Sequence, residues 1–406
     1  KIIYDRTPRQ LVQGAAPWLK VDGDAYPAVV DGRIVWIVDG YTTSNSYPNS
    51  ERVNLNDVTS DAQTSAGGTV VAQPQDDINY MRNSVKAVVD AYDGSVKLYA
   101  WDDTDPVLKA WSQAFPNIVQ PKSAISKDLL DHLRYPQDFF KVQRQILARY
   151  HMTNPDNWYQ RSSLWDVPND PVSGASAQTK EPPFYLSVKW PGDDGPIFSL
   201  TSSYVPFKRS NLAAYMAVNA DASSPEYGRM RILQMSDTSQ IDGPGQSFNA
   251  MTTNETVADR LRPFLNQGAA SATFGNLLTL PVGGGLLYVT PVYTQRQGST
   301  GSYPALRFVV VRFGQSVGIG DTLQQALDQV FQGSAGGSTG EASADGNTPA
   351  NNNKPDNPAA TKALGEADAA FAAADKALTS GDLGTYQKKI EEAQGAVQRA
   401  MRALGR

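Results

Sequence analysis

Two Asp-Gly pairs, each set between runs of Val, Ile and aromatic residues, constrain this 406-residue chain more than any other feature. The first, Asp31-Gly32, lies inside Tyr26 to Tyr47, which reads YPAVVDGRIVWIVDGYTTSNSY. Asp-Gly is the strongest short signal for a two-residue type I′ turn, because both central residues need φ > 0. The stretch therefore predicts a β-hairpin. The second pair, Asp93-Gly94, predicts another hairpin over Ser84 to Trp101. Val85, Val88, Val89 and Tyr92 precede that turn, and Val96, Leu98 and Trp101 follow it.

Around these hairpins the chain reads as α+β, with mixed, mainly antiparallel sheets. Residues 1–101 form a β-rich part, interrupted by a polar stretch from Thr42 to Gln75 that reads as a long loop. Residues 102–180 form a helical segment. Asp105-Pro106, Ser126, Pro136 and Asn154-Pro155 each mark a helix start. Phe139, Val142, Ile146 and Tyr150 are spaced 3, 4 and 4, which predicts one buried helix face. Residues 181–332 return to mixed α+β. Strands are expected over Phe184–Trp190, Ile197–Ser203, Leu212–Val218, Arg229–Met235, Leu277–Leu280, Leu286–Tyr293 and Leu306–Phe313. A helix is expected over Glu255–Leu265, and Asp321 caps a closing helix through Phe331. Residues 333–360 are Gly, Ser, Ala, Asn and Pro, the composition of a flexible linker. Residues 361–406 predict a helical hairpin broken at Gly381 and Gly384, with Phe371 and Leu378 on one stripe and Tyr386 and Ile390 on the next. Too short to stand alone, it is expected to self-associate or dock on a partner.

The formal net charge of −5 argues against a nucleic-acid partner. The chain has no cysteine, which excludes disulfides, thiolate metal sites and a cysteine nucleophile, and suits an extracytoplasmic setting. No run approaches the roughly 18 apolar residues that span a bilayer. The chain starts at Lys1 with no Met and no signal-peptide pattern, so it reads as a processed soluble piece.

Catalytic signals are weak. Gly314-Gln315-Ser316-Val317-Gly318 matches the G-x-S-x-G pattern, but His132 and His151 both precede the serine, against the order of that triad. A Gly-rich turn is the simpler reading. Gly283-Gly284-Gly285 likewise reads as a hairpin turn, because it lacks the Lys and Ser/Thr of a phosphate loop. Clustered loop carboxylates suit Ca²⁺. The candidates are Asp102, Asp103 and Asp105, with Asp22/Asp24 and Asp193/Asp194 as further clusters. Aspartate is equally at home in turns and caps.

Four blocks resemble the uncharacterised protein family 0182. They are Ala16 to Tyr47, Asn79 to Trp111 (NYMRNSVKAVVDAYDGSVKLYAWDDTDPVLKAW), Leu133 to His151 (LRYPQDFFKVQRQILARYH) and Gly275 to Tyr293 (GNLLTLPVGGGLLYVTPVY). The resemblance implies a multi-pass membrane protein of actinobacteria, with this chain as the C-terminal part of its extracytoplasmic domain. It supplies no activity, cofactor or catalytic residue. The expected role is envelope-associated binding or assembly, with the membrane-spanning block, a second copy or an envelope protein as partner. A carboxylate- or metal-dependent envelope hydrolase and a sensor or lid of a transporter are the alternatives. Tyr41 and Tyr47, in the polar extension of the first hairpin, are expected to make a contact.

Overall fold

The structure, a computed structural model, describes residues 6–174, 178–236, 240–265, 270–296, 303–331 and 383–403, with residues 362–363, 366–367, 369–370 and 373–374. One compact unit covers residues 1–339 and a second covers 340–406. The class is α+β, about 32% helix and 33% strand.

The first sheet runs in the order Lys20–Val21, Arg33–Ser44, Tyr80–Asp90, Val96–Ala100, Val119–Gln120, with Tyr26–Val30 also paired to Arg33–Ser44. Asp31-Gly32 makes the expected turn: their φ angles are 49° and 74°, and Val30 pairs with Arg33. The second hairpin differs. Its strands end at Asp90 and resume at Val96, so Tyr92 is exposed in the connection rather than in the strand. The Asp90 carboxylate accepts the Tyr92 amide at 2.8 Å, and this side-chain turn opens the strand early. The expected long loop also holds more structure than its polarity suggested. Asn54 and Asp61 cap the short helices Leu55–Thr59 and Ala62–Ser65 with their side chains.

The second sheet runs Phe184–Val188, Ile197–Pro206, Ala214–Asn219, Met230–Gln234, and Trp165–Asp166 joins it against Ile197–Pro206. The third runs Ala270–Phe274, Gly285–Arg296, Ala305–Phe313, Ser316–Gly320, with Leu278–Val282 paired to Gly285–Arg296. Neighbouring strands in both are antiparallel. Gly283-Gly284 and Gly314-Gln315 are two-residue hairpin turns, with Val282 opposite Gly285 and Phe313 opposite Ser316. The G-x-S-x-G run is thus a turn entering an edge strand. A side chain at Gly318 would meet the Ala326 carbonyl at 2.3 Å, so that glycine lets the helix Leu323–Phe331 approach the sheet. Thr322, not Asp321, caps this helix by accepting the Gln325 amide; Asp321 pairs instead with Arg260. The helix Pro244–Thr253 was not foreseen.

The helices Pro106–Ala114, Lys127–His132, Gln137–Tyr150 and Pro155–Gln160 fill the expected helical segment. In the second unit Leu383–Ala403 is one helix, and Gly384 lies inside it rather than breaking it. Arg399 pairs with Glu366 at 2.9 Å, joining that helix to the preceding helical residues. Phe371, Leu378 and the stretch 333–360 lie outside the described residues.

Candidate functional site

The helix Gln137–Tyr150 connects the two halves of the first unit. It packs on Tyr80–Asp90 of the first sheet, on Ile197–Pro206 and Trp165–Asp166 of the second, and on Leu55–Thr59. Its apolar stripe is not the buried face the spacing predicts. Val142 is buried, but Ile146 is 45% exposed and Tyr150 is 56% exposed. Phe139, Val142, Ile146 and Tyr150 instead line one wall of an open groove of 570 Å³. Val53, Leu55, Ile78, Met81, Tyr47 and Tyr80 also line it, and Leu55, Ile78 and Met81 pack with Val142 in one apolar cluster. The Tyr47 and Tyr80 rings stack at 5.9 Å. Glu51, which also lines the groove, pairs with Arg149 at 2.6 Å.

The face turned inward carries Asp138, Lys141 and Arg144 beside Phe140 and Ala148, all buried. Lys141 Nζ lies 2.7 Å from Asp61 and 3.7 Å from Asp138, and donates to the Thr59 carbonyl at 3.0 Å. Asp138 Oδ2 accepts the Gly23 amide at 2.8 Å and Gln73 Nε2 at 2.6 Å. The Asp138 amide donates to Asp22, as does the Tyr41 hydroxyl. Behind them Lys86 pairs with Asp39 at 2.5 Å, and Arg134 pairs with Asp24 at 2.6 Å. The Arg134 guanidinium also lies over Tyr26 at 3.8 Å and Tyr185 at 4.3 Å. Further along the helix Arg144 donates to the Glu181 carbonyl and to Ser202 Oγ, both at 3.1 Å.

The chain is built tightly around this layer. A side chain at Gly23 would meet the Val71 carbonyl at 1.9 Å, so only glycine lets the loop after Lys20–Val21 reach Asp138. Among the described residues the ion pairs of Asp24, Asp39, Asp61 and Asp138 are made with Arg134, Lys86 and Lys141, and Asp61 also lies within the field of Arg144. Burial, then the negative charge of Asp138 and Asp39, drives the Asp22 carboxyl well above its usual range. Burial lowers Lys86, against the pull of Asp39. Burial also lifts Glu181 to about 7, opposed by its hydrogen bond from Ser203.

The sequence candidates scatter around this site. Tyr41 is fully buried on Asp22 and presents no surface for a contact, whereas Tyr47 stands 56% exposed at the groove. Asp102 pairs with Arg82 at 2.5 Å, Asp103 is exposed, and Asp105 caps Pro106–Ala114. Asp105 also accepts from Thr42, Ser84 and Tyr80; burial raises its carboxyl, but these bonds outweigh that and hold it below the usual range. Among the described residues no group of three or more His, Asp or Glu is placed to hold a metal ion. His132 bonds the Asp128 carbonyl, and His151 stacks on Trp165 at 3.6 Å. Ile390 is half-buried within its helix. Tyr386 lies on the same helix.

Asp61, Lys86, Asp138, Lys141, Arg144 and Glu181 were not singled out from sequence. Two signals could have found some of them. Lys86 interrupts the otherwise apolar run VKAVV in a strand buried on both faces. Asp138, Lys141 and Arg144 recur at intervals of three along one helix flank.

Residues 1–264 match the sequence model of the uncharacterised protein family UPF0182. The chain belongs to this family. A UPF0182 protein of Arthrobacter is 48% identical over 99% of this chain. One from Thermobifida fusca is 54% identical over 82% of it, and one from Streptomyces coelicolor 46% over 98%. The chain covers 42%, 32% and 40% of these relatives, so it corresponds to part of a longer UPF0182 protein. The relatives are actinobacterial. No solved structure matches. No helix among the described residues is long and apolar enough to cross a membrane.

Proposed function

We propose that this chain is the extracytoplasmic part of an actinobacterial membrane protein, that it works by binding, and that its groove seats an apolar segment from the remainder of the same polypeptide. The observation that carries the binding reading is the helix Gln137–Tyr150, which buries Asp138, Lys141 and Arg144 and leaves Ile146 and Tyr150 on an open groove. A concave apolar surface with a few polar groups at its rim is the ordinary form of a binding site. The occupant follows from length. In the relatives more than half of the polypeptide lies outside the matched region, and a covalently joined segment binds at high effective concentration.

The hydrolase alternative gains nothing from the candidate carboxylates, because Asp102 and Asp105 are committed to an ion pair and a helix cap. Co-expression of this chain with the rest of the longer protein tests the binding reading. Wild type is expected to co-purify with the remainder. Ile146→Asp combined with Tyr150→Asp is expected to melt normally and lose the partner. Co-purification of that variant at the wild-type level would remove the proposal.

A further inference from the structure

A second cavity, of 590 Å³, lies away from the apolar groove, between the turn after Ile197–Pro206 and the start of Pro244–Thr253. Its lining is mostly polar and includes Asn169, Gln178, Lys180, Lys208, Arg209 and Gly245. Its one acid, Asp166, is already neutralised by Lys180 at 2.9 Å. Lys208 and Arg209 have no carboxylate partner among the described residues; the Lys208 ammonium only overlies the Phe207 ring at 5.2 Å. Two unpaired cations in one concavity are notable in a chain whose net charge is −5. A cleft lined by an excess of one sign of charge concentrates counter-ions.

The surroundings add donors and fix their position. Arg209 closes the turn by donating its amide to the Pro206 carbonyl at 2.9 Å. The Ser210 carbonyl packs so closely on Gly243 that a side chain there would sit 2.2 Å from it, and Asn211 bridges to Asp242. The turn and the helix start are therefore held side by side. No side chain caps that helix from Gly243, and open space lies beside Gly245 where its side chain would be. Lys208, Arg209 and Gly245, in the first turn of that helix, line the same cavity, and the first turn of a helix favours negative charge.

We propose that this cavity binds a multivalent oxyanion, a phosphate group being the best fit, through Lys208, Arg209 and the backbone amide of Gly245. Phosphate offers several acceptor oxygens to an Arg fork, a Lys point charge and a backbone donor together. The group could be free phosphate or a phospholipid headgroup, which share this chemistry.

The test uses the 406-residue chain and the variant Lys208→Asn with Arg209→Gln. Both residues are exposed and unpaired, and Asn suits the φ of 61° at position 208, so the variant is expected to melt like wild type without phosphate. Inorganic phosphate is titrated against sodium chloride at equal ionic strength, with melting temperature and calorimetric affinity as readouts. Wild type is expected to gain a saturable rise in melting temperature, and the variant to bind roughly tenfold more weakly or worse. Sedimentation with phosphatidylglycerol vesicles, against phosphatidylcholine vesicles, separates the sources: binding that needs Lys208 and Arg209 assigns a headgroup, and its absence beside a phosphate effect assigns the free ion. A phosphate effect no larger than that of chloride, with no such vesicle binding, overturns the proposal. So does an unchanged phosphate effect in the variant.

Discussion

The helices Leu323–Phe331 and Gln137–Tyr150 solve the same problem in opposite ways. Leu323–Phe331 turns Ala326 and Val330 onto Leu287, Val309 and Val311 of the third sheet, as an amphipathic helix ordinarily does. Gln137–Tyr150 turns Asp138, Lys141 and Arg144 inward and leaves part of its apolar stripe on a groove. Apolar burial has no preferred direction, so a helix held by it alone tolerates small rotations. Ion pairs and hydrogen bonds do have directions. Lys141 must meet Asp61, and Asp138 must meet Gly23 and Gln73, at one rotation only. In this account the buried ions set the angle at which Ile146 and Tyr150 are presented.

The largest break in that comparison comes from removing one ion. Lys141→Met removes the ion-pair partner of buried Asp61 and Asp138, and is expected to cost about 3–5 kcal/mol in urea denaturation. In the other helix Val330→Ala removes two buried carbons and is expected to cost about 2 kcal/mol. If the two losses came out alike, the ionic layer would be no more than filler.

The pH dependence sharpens the same contrast. Glu181, on the far side of Arg144, binds its proton more tightly folded than unfolded, with a value of about 7 against 4.5. Its stabilisation is complete below 4.5 and fades as pH rises through 7. Asp22 acts in the same direction. Melting temperature is expected to fall over that window, and Glu181→Gln to flatten the slope; an unchanged slope would place the titration elsewhere. The smallest effect is expected in the groove. Ile146→Ser, at a position 45% exposed, should shift stability by less than about 1 kcal/mol.

How much of this was legible follows from range. Asp31-Gly32, Asp105-Pro106 and Asn154-Pro155 act within a few residues, and each turn or cap is where its sequence puts it. The helix Gln137–Tyr150 was legible as a helix, but its inward face was not. Periodicity weighs apolar residues and assumes that they face the core. Here Asp61 and Gln73, far back in a stretch read as loop, supply the partners that reverse the choice. Tyr41 and Tyr47 show the same limit: they lie six residues apart in a polar run, and one is core while the other lines the groove.

The absence of cysteine from the chain allows a direct test of the groove. Ile146→Cys gives this chain a single thiol. Its labelling rate is measured in the isolated 406-residue chain and, by mass spectrometry of the same peptide, in the longer UPF0182 protein. The account predicts rapid labelling in the isolated chain and strong protection in the longer protein, where a segment fills the groove. Equal rapid labelling in both would contradict it.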